Sequence, residues 1–182
     1  PGVTFGVNVR DRVQAERDLA AFESDLALVF EPVHMVDFEV LFELPQKVHA
    51  VFRATNPLAR KPEVRLRDCL SRKLVLPSAP YGVRHLLEMG AARRRLAFDP
   101  VLETESFELI RHYVVEEDAV GFQIPIGLRR AQQGAIAHAP ISERDLPAGR
   151  LLLGQMRGRV LPVASAKFAR QLEAALSGTA GP

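Results

Sequence analysis

The chain has 182 residues, 47% of them hydrophobic and 25% charged, and carries a net charge of +2. That suffices to bury a core as one domain or two small lobes, and the apolar runs, such as Leu26 to Phe30, are too short to cross a membrane. Arginine supplies 20 of the 24 basic residues, yet the only dense run is Arg93-Arg94-Arg95 at an expected helix end, where cations suit the last carbonyls, so a nucleic-acid surface is not expected.

Val3, Phe5, Val7 and Val9 alternate with Thr4, Gly6 and Asn8, which predicts a half-buried strand. Arg10 to Glu23 reads as a helix, and Leu26 to Phe30 as a buried strand, together a βαβ unit with a right-handed crossover. Pro32 ends that strand. Phe38, Val40, Phe42 and Leu44 alternate next, and Val48 to Phe52 follows Pro45 as a further strand. Thr55 to Leu58 reads as a loop, Leu66 to Ser71 as a short helix, and Leu74-Val75-Leu76 as a strand stopped by Pro77. Helices are expected at Tyr81 to Arg93 and Ser106 to Glu117, with short strands at Leu102 and at Val120 to Ile124. Ala135 to Ala139 and Leu151 to Met156 read as strands. Pro162 to Leu176 is the last helix, with proline in its first turn, and Ser177 to Pro182 is a small, polar tail expected to fray. Strands alternating with helices at this pace imply an α/β fold with mixed, mostly parallel sheets.

Motifs for catalysis are missing: no Gly-x-Ser-x-Gly, Walker A, dinucleotide glycine pattern or His-Glu-x-x-His occurs. The histidines His34, His49, His85, His112 and His138 show no ligand spacing along the sequence, and Glu116-Glu117-Asp118 reads as a solvated turn. No enzyme activity, metal or cofactor is expected. The lone Cys69 excludes an internal disulfide and reads as a small core hydrophobe on a short helix, compatible with a reducing cytoplasm. No leader peptide is read in the opening residues.

Six segments in order resemble one family of bacterial transcriptional regulators, the LysR type. They are Pro1-Gly2-Val3-Thr4-Phe5, Ser24-Asp25-Leu26-Ala27-Leu28, and Asn56-Pro57-Leu58-Ala59 with Val64 to Asp68. Leu74-Val75-Leu76 with Arg84, Ser106 to Val115 with Val120 to Pro125, and Pro162, Ala166 and Phe168 complete the set. The resemblance spans residues 1 to 176. It implies the effector-sensing half of such a regulator, without its winged helix-turn-helix, its linker helix and a first strand. Asp118-Ala119-Val120 stands where the family has Gly-x-Gly, which leaves that turn's geometry open.

The family implies two Rossmann-like lobes joined by two crossover segments, as in type II periplasmic binding proteins. Lobe I would be residues 1–46 with 150–182, and lobe II residues 47–149. A small, anionic effector would sit in the interlobe cleft at helix starts and strand ends. Ser78, before the helix starting near Tyr81, is either a plain loop serine or an anion contact, while Ser106 is both an N-cap and a cleft residue. Arg12 stands where the family often has a hydroxyl residue, and it either clamps a carboxylate or faces solvent. Phe30 would be an apolar cleft wall. Phe122 is more often core than contact, and Gln123 is the better polar contact. The partners implied are a small-molecule effector and a second copy of the chain, a tetramer being open for the whole protein, with DNA reached only through the missing domain. A solute-binding protein of a transporter would share this fold.

Overall fold

The computed structural model describes residues 2–178 apart from Val33, Met35, Val36 and residues 129–133. Most of the expected fraying tail, residues 179–182, lies outside this description. The chain divides into two compact units, one made of Pro1–Pro45 with Arg150–Pro182 and the other of Gln46–Gly149. No helix among the described residues is long and apolar enough to cross a membrane.

The first unit is built on a three-stranded sheet. Its strands are β1 (Ala27–Phe30), β2 (Phe38–Gln46) and β8 (Gly149–Met156), in the order β1-β8-β2. β1 runs antiparallel to β8, from Ala27 opposite Gly154 to Phe30 opposite Leu151. Helix α1 (Arg12–Ala20) starts at Asp11, whose carboxylate accepts from the Gln14 N–H at 2.9 Å, the N-cap bond an aspartate is suited to make. Its Leu19 is fully buried against Ala27, Val29, Phe38 and Leu152. Gly154 lets the Phe38 ring approach β8 closely, since a Cβ there would come within 2.2 Å of the ring. The closing helix α5 (Val163–Ser177) has Pro162 at its N-cap, one residue outside the helix.

The expected strand at Val3 to Val9 does not form. Residues 2–10 are exposed and outside any ladder, with Val7 and Val9 each 82% accessible. Alternation alone makes no strand; the backbone needs a neighbour to bond to. β1 is an edge strand that pairs only with β8 among the described residues, and a groove of about 410 Å³ keeps the opening segment from its other side. That groove is lined by Gly6 to Arg10 on one side, by Leu26 to Leu28 on the other, and by Leu153, Phe168 and Leu172. Phe5 instead packs on Phe168, ring centres 5.0 Å apart. The expected first βαβ crossover is therefore absent from the described residues.

The second unit has β3 (His49–Arg53) at the centre of a sheet ordered β6-β3-β7, with β6 at Gly121–Gln123 and β7 at Ile136–Pro140. Both of its ladders are antiparallel. Beside it β4 (Leu74–Pro77) and β5 (Pro100–Thr104) pair in parallel, and a parallel bridge between Leu74 and Val120 connects the two sheets. The α/β class holds, but antiparallel ladders carry more of the pairing than the sequence reading expected. The buried apolar runs that suggest parallel strands are equally satisfied by an antiparallel strand covered on both faces. Helix α4 (Phe107–Glu116) lays Ile110 and Val114 on Val51, Val75, Ala119 and Leu128. The short α2 (Leu66–Cys69) buries Cys69 completely, as expected, and burial pushes its thiol up to about 12. Helix α3 (Gly82–Arg94) ends in a left-handed Arg95, so the three arginines close a helix. At the turn that departs from Gly-x-Gly, Asp118 takes the left-handed conformation itself, φ 48°, and accepts from the Asn56 amide at 3.1 Å. Aspartate is one of the few non-glycine residues that tolerate this region.

Candidate functional site

Strand directions in the second unit converge on one edge. β4 and β5 run parallel to each other, the Leu74–Val120 bridge sets β6 parallel to them, and β3 opposes both β6 and β7. The carboxyl ends of β4, β5, β6 and β7 and the amino end of β3 therefore share an edge. Open α/β sheets bind ligands beyond such an edge, where chain ends leave polar groups and loops.

Two helices start there. Ser78, just past β4, donates its N–H to the Thr104 carbonyl at the end of β5, 3.0 Å, and accepts the Tyr81 N–H at 3.1 Å. Tyr81 is the N-cap residue of α3, and its ring meets that of Phe107 edge-on at 5.6 Å. Ser106 caps α4: its hydroxyl accepts the Leu109 N–H at 3.1 Å, and its own N–H donates to the Thr104 hydroxyl at 3.1 Å. That leaves the Phe107 and Glu108 N–H groups without a partner inside the helix, at its positive end. Ser78, Tyr81 and Ser106 are thus gathered around one pair of helix starts. Ser106 is exposed, and Ser78 and Tyr81 are half-buried.

Next along the edge, Gln123 ends β6. It is 2% exposed, and its side-chain carbonyl accepts from Arg111 of α4 at 3.4 Å. His49 stands opposite it across the ladder, and His138 of β7 lies beyond. The two imidazoles face each other with Nδ1 atoms 2.9 Å apart and ring centres at 5.0 Å. Burial pushes His49 down to about 4, helped by His138 and by Lys47; burial also lowers His138. Lys47 is held by Glu143 at 2.8 Å. The sequence reading missed His49, His138 and Arg111, because only the ladder brings residues 49 and 138 together.

The remaining candidates stand elsewhere. Phe122 is fully buried beside Phe98, ring centres 6.3 Å apart, and presents no surface. In the first unit Arg12 opens α1 and its guanidinium binds Glu16 at 3.0 Å, one turn on, while Glu16 also accepts the His34 N–H. Phe30 ends β1, half-buried, opposite Leu151.

Residues 1–177 match the family model described as "LysR substrate binding domain". The fold is similar to the regulatory domain of CcmR from Synechocystis PCC6803, solved with 2-PG, at 19% identity and a TM-score of 0.74, over 91% of this chain and 79% of that one. It is similar to HinK, a LysR family transcriptional regulator from Pseudomonas aeruginosa, at 16% identity and a TM-score of 0.72, over 92% and 58%. It is also similar to the effector binding domain of QuiR, solved with shikimate, at 18% identity and a TM-score of 0.66, over 85% and 72%. The chain thus spans less than two thirds of the HinK chain.

Proposed function

The chain belongs to the LysR substrate binding domain family, a family of effector-binding domains and not of enzymes, and from that premise we propose that it senses a small anionic metabolite for a transcriptional regulator. The observation that carries the chemistry is the pair of helix starts sharing one strand edge, with the exposed Ser106 at the centre. A carboxylate there would accept from the Ser106 hydroxyl and from α4's first-turn N–H groups, each charge-assisted bond contributing about 1.5–3 kcal/mol before desolvation. The small acids named with two relatives of this fold, 2-PG and shikimate, belong to the same broad class of ligand. Gln123 and Arg111 would set the width of the site, and Ser78 and Tyr81 its far wall. Arg12 and Phe30 are proposed effector contacts too, with Arg12 exchanging Glu16 for the effector. Binding would favour one arrangement of the regulator over another and so bias DNA-binding domains that this chain does not include. We propose that it acts as a homodimer.

The experiment is a thermal-shift screen of small carboxylates and aromatic acids, since a specific ligand raises apparent stability. The best ligand is then titrated into Ser106→Gly. Glycine replaces serine at an N-cap for only a few tenths of a kcal/mol, so the helix survives while the hydroxyl is lost. Binding weaker by roughly tenfold is expected from one lost charge-assisted bond. Equal affinity in parent and variant would show that the effector sits elsewhere.

A further inference from the structure

We propose that His49 and His138 form a two-histidine site for a late divalent transition metal, Ni2+ or Cu2+, at the strand edge of the second unit. The two Nδ1 atoms are 2.9 Å apart. Imidazole nitrogen binds such metals at about 2.0–2.1 Å, and two bonds of that length at a right angle place their nitrogens about 2.9 Å apart. A tetrahedral angle would need about 3.4 Å at the same bond length. Square-planar and octahedral ions accept ligands at right angles, which selects Cu2+ and Ni2+ over the tetrahedral preference of Zn2+.

The ladders hold the two strands, and a hydrogen bond between the rings holds this spacing without the metal. Both residues lie on ladder-paired strands, and β3 is bonded on both sides, to β6 and to β7. A preformed pair loses little freedom on binding, which is the main cost of a site with few ligands. Today one ring's Nδ1 shares a proton with the other. On binding, that proton moves to the same ring's Nε2 through solvent, both Nδ1 atoms become ligands, and no net proton is released. His138 is exposed, which gives the ion a way in. Water would fill the other positions, because no cluster of three or more His, Cys, Asp or Glu side chains suited to a metal occurs among the described residues. Lys47, two residues before His49, is held by Glu143, which softens its repulsion.

The probe is the metal alone. Calorimetry with NiCl2 on the intact chain should give one ion per chain, weakened at least about tenfold in His138→Gln and in His49→Gln, the order of loss that follows removal of supporting groups in metal sites. Glutamine keeps polarity and rough size but removes the imidazole ligand. With one equivalent of Cu2+, the electron paramagnetic resonance spectrum should show two imidazole nitrogens in the parent and one in His138→Gln. Unchanged Ni2+ affinity in His138→Gln, no saturable binding in the parent, or a parent spectrum without two nitrogens would each overturn the site. His138 is exposed, so its variant decides the matter even if His49→Gln fails to fold. None of these readouts involves an effector, so failure here leaves the sensing function standing.

Discussion

Asp145 shows what one side chain does for the second unit. Its carboxylate is only 3% exposed and receives Arg65 through two bonds, at 2.8 and 2.7 Å, plus the Leu66 N–H at 2.9 Å, with Arg94 at 3.3 Å. The Arg65 bond is the main reason its carboxyl lies below the usual carboxylate value of 3.8, the Leu66 N–H and Arg94 adding to it. The folded state therefore holds this proton less tightly than the unfolded chain, and the stability Asp145 contributes is present above about pH 4 and is lost as pH falls through the lowered value. Asp145→Asn should cost on the order of 2–3 kcal/mol at pH 7, because a half-buried guanidinium and a buried N–H lose their charged acceptor. Urea melts from pH 2 to 7 should show the parent losing stability at the acid end and the variant lacking that part of the loss. Matching curves would mean the carboxylate contributes nothing. At this scale some roles were legible and others were not. Burial of Cys69 followed from its place in Leu66 to Leu70, whereas the partner of Asp145 lies 80 residues away and leaves no local trace.

Among the elements, α3 carries a residue that looks like a defect. Glycine inside a helix ordinarily costs about 1 kcal/mol relative to alanine. At Gly90, however, a Cβ would lie 2.2 Å from a Leu146 methyl and 2.8 Å from the Asp145 carbonyl oxygen. The leucine can turn away, but the carbonyl belongs to a turn pinned by Asp145 and Leu146 N–H bonds to Ser142. Overpacking of about 1–3 kcal/mol should outweigh the helical gain. Gly90→Ala is expected to lower the urea midpoint; a higher midpoint would show that α3 moves aside at no cost. The start of α4 was readable from its cap Ser106, whereas α1 was expected from Arg10 although Asp11 caps it, and the short 3-10 turn capped by Asn56 read as a loop. Strand existence was readable from alternation at Phe38 to Leu44 but misled at Val3 to Val9, since alternation records which face is apolar and not whether a neighbouring backbone is within reach. The pairing sense was illegible for the same reason. Ser78, Tyr81, Ser106 and Gln123 could be named from the resemblance, but not their neighbours: Arg111, His49 and His138 come to Gln123 only once β3 lies between β6 and β7.

For the whole molecule, the dimer proposal makes a direct demand on the surface. Val13 is 37% and Phe22 61% exposed on and beside α1, more apolar surface than a solvated helix end needs. Sedimentation at micromolar concentration should give twice the 20.1 kDa chain mass, and a single species at that mass would refute the proposal. The division of the chain also fixes an order of assembly. Every strand of the second unit's sheets lies within one continuous stretch, Gln46–Gly149, and is available as soon as that stretch exists. The first unit is different, because its middle strand β8 comes last and β1 and β2 flank it from more than a hundred residues earlier. Non-local closure of this kind is slow, since the loop must close before any contact rewards it. A ribosome making this protein amino end first releases β1 and β2 long before the strand that must sit between them. The later-encoded unit is complete while the earlier-encoded one still waits, Val29 and Phe38 covered by Leu19 but lacking Leu152 to close their cluster.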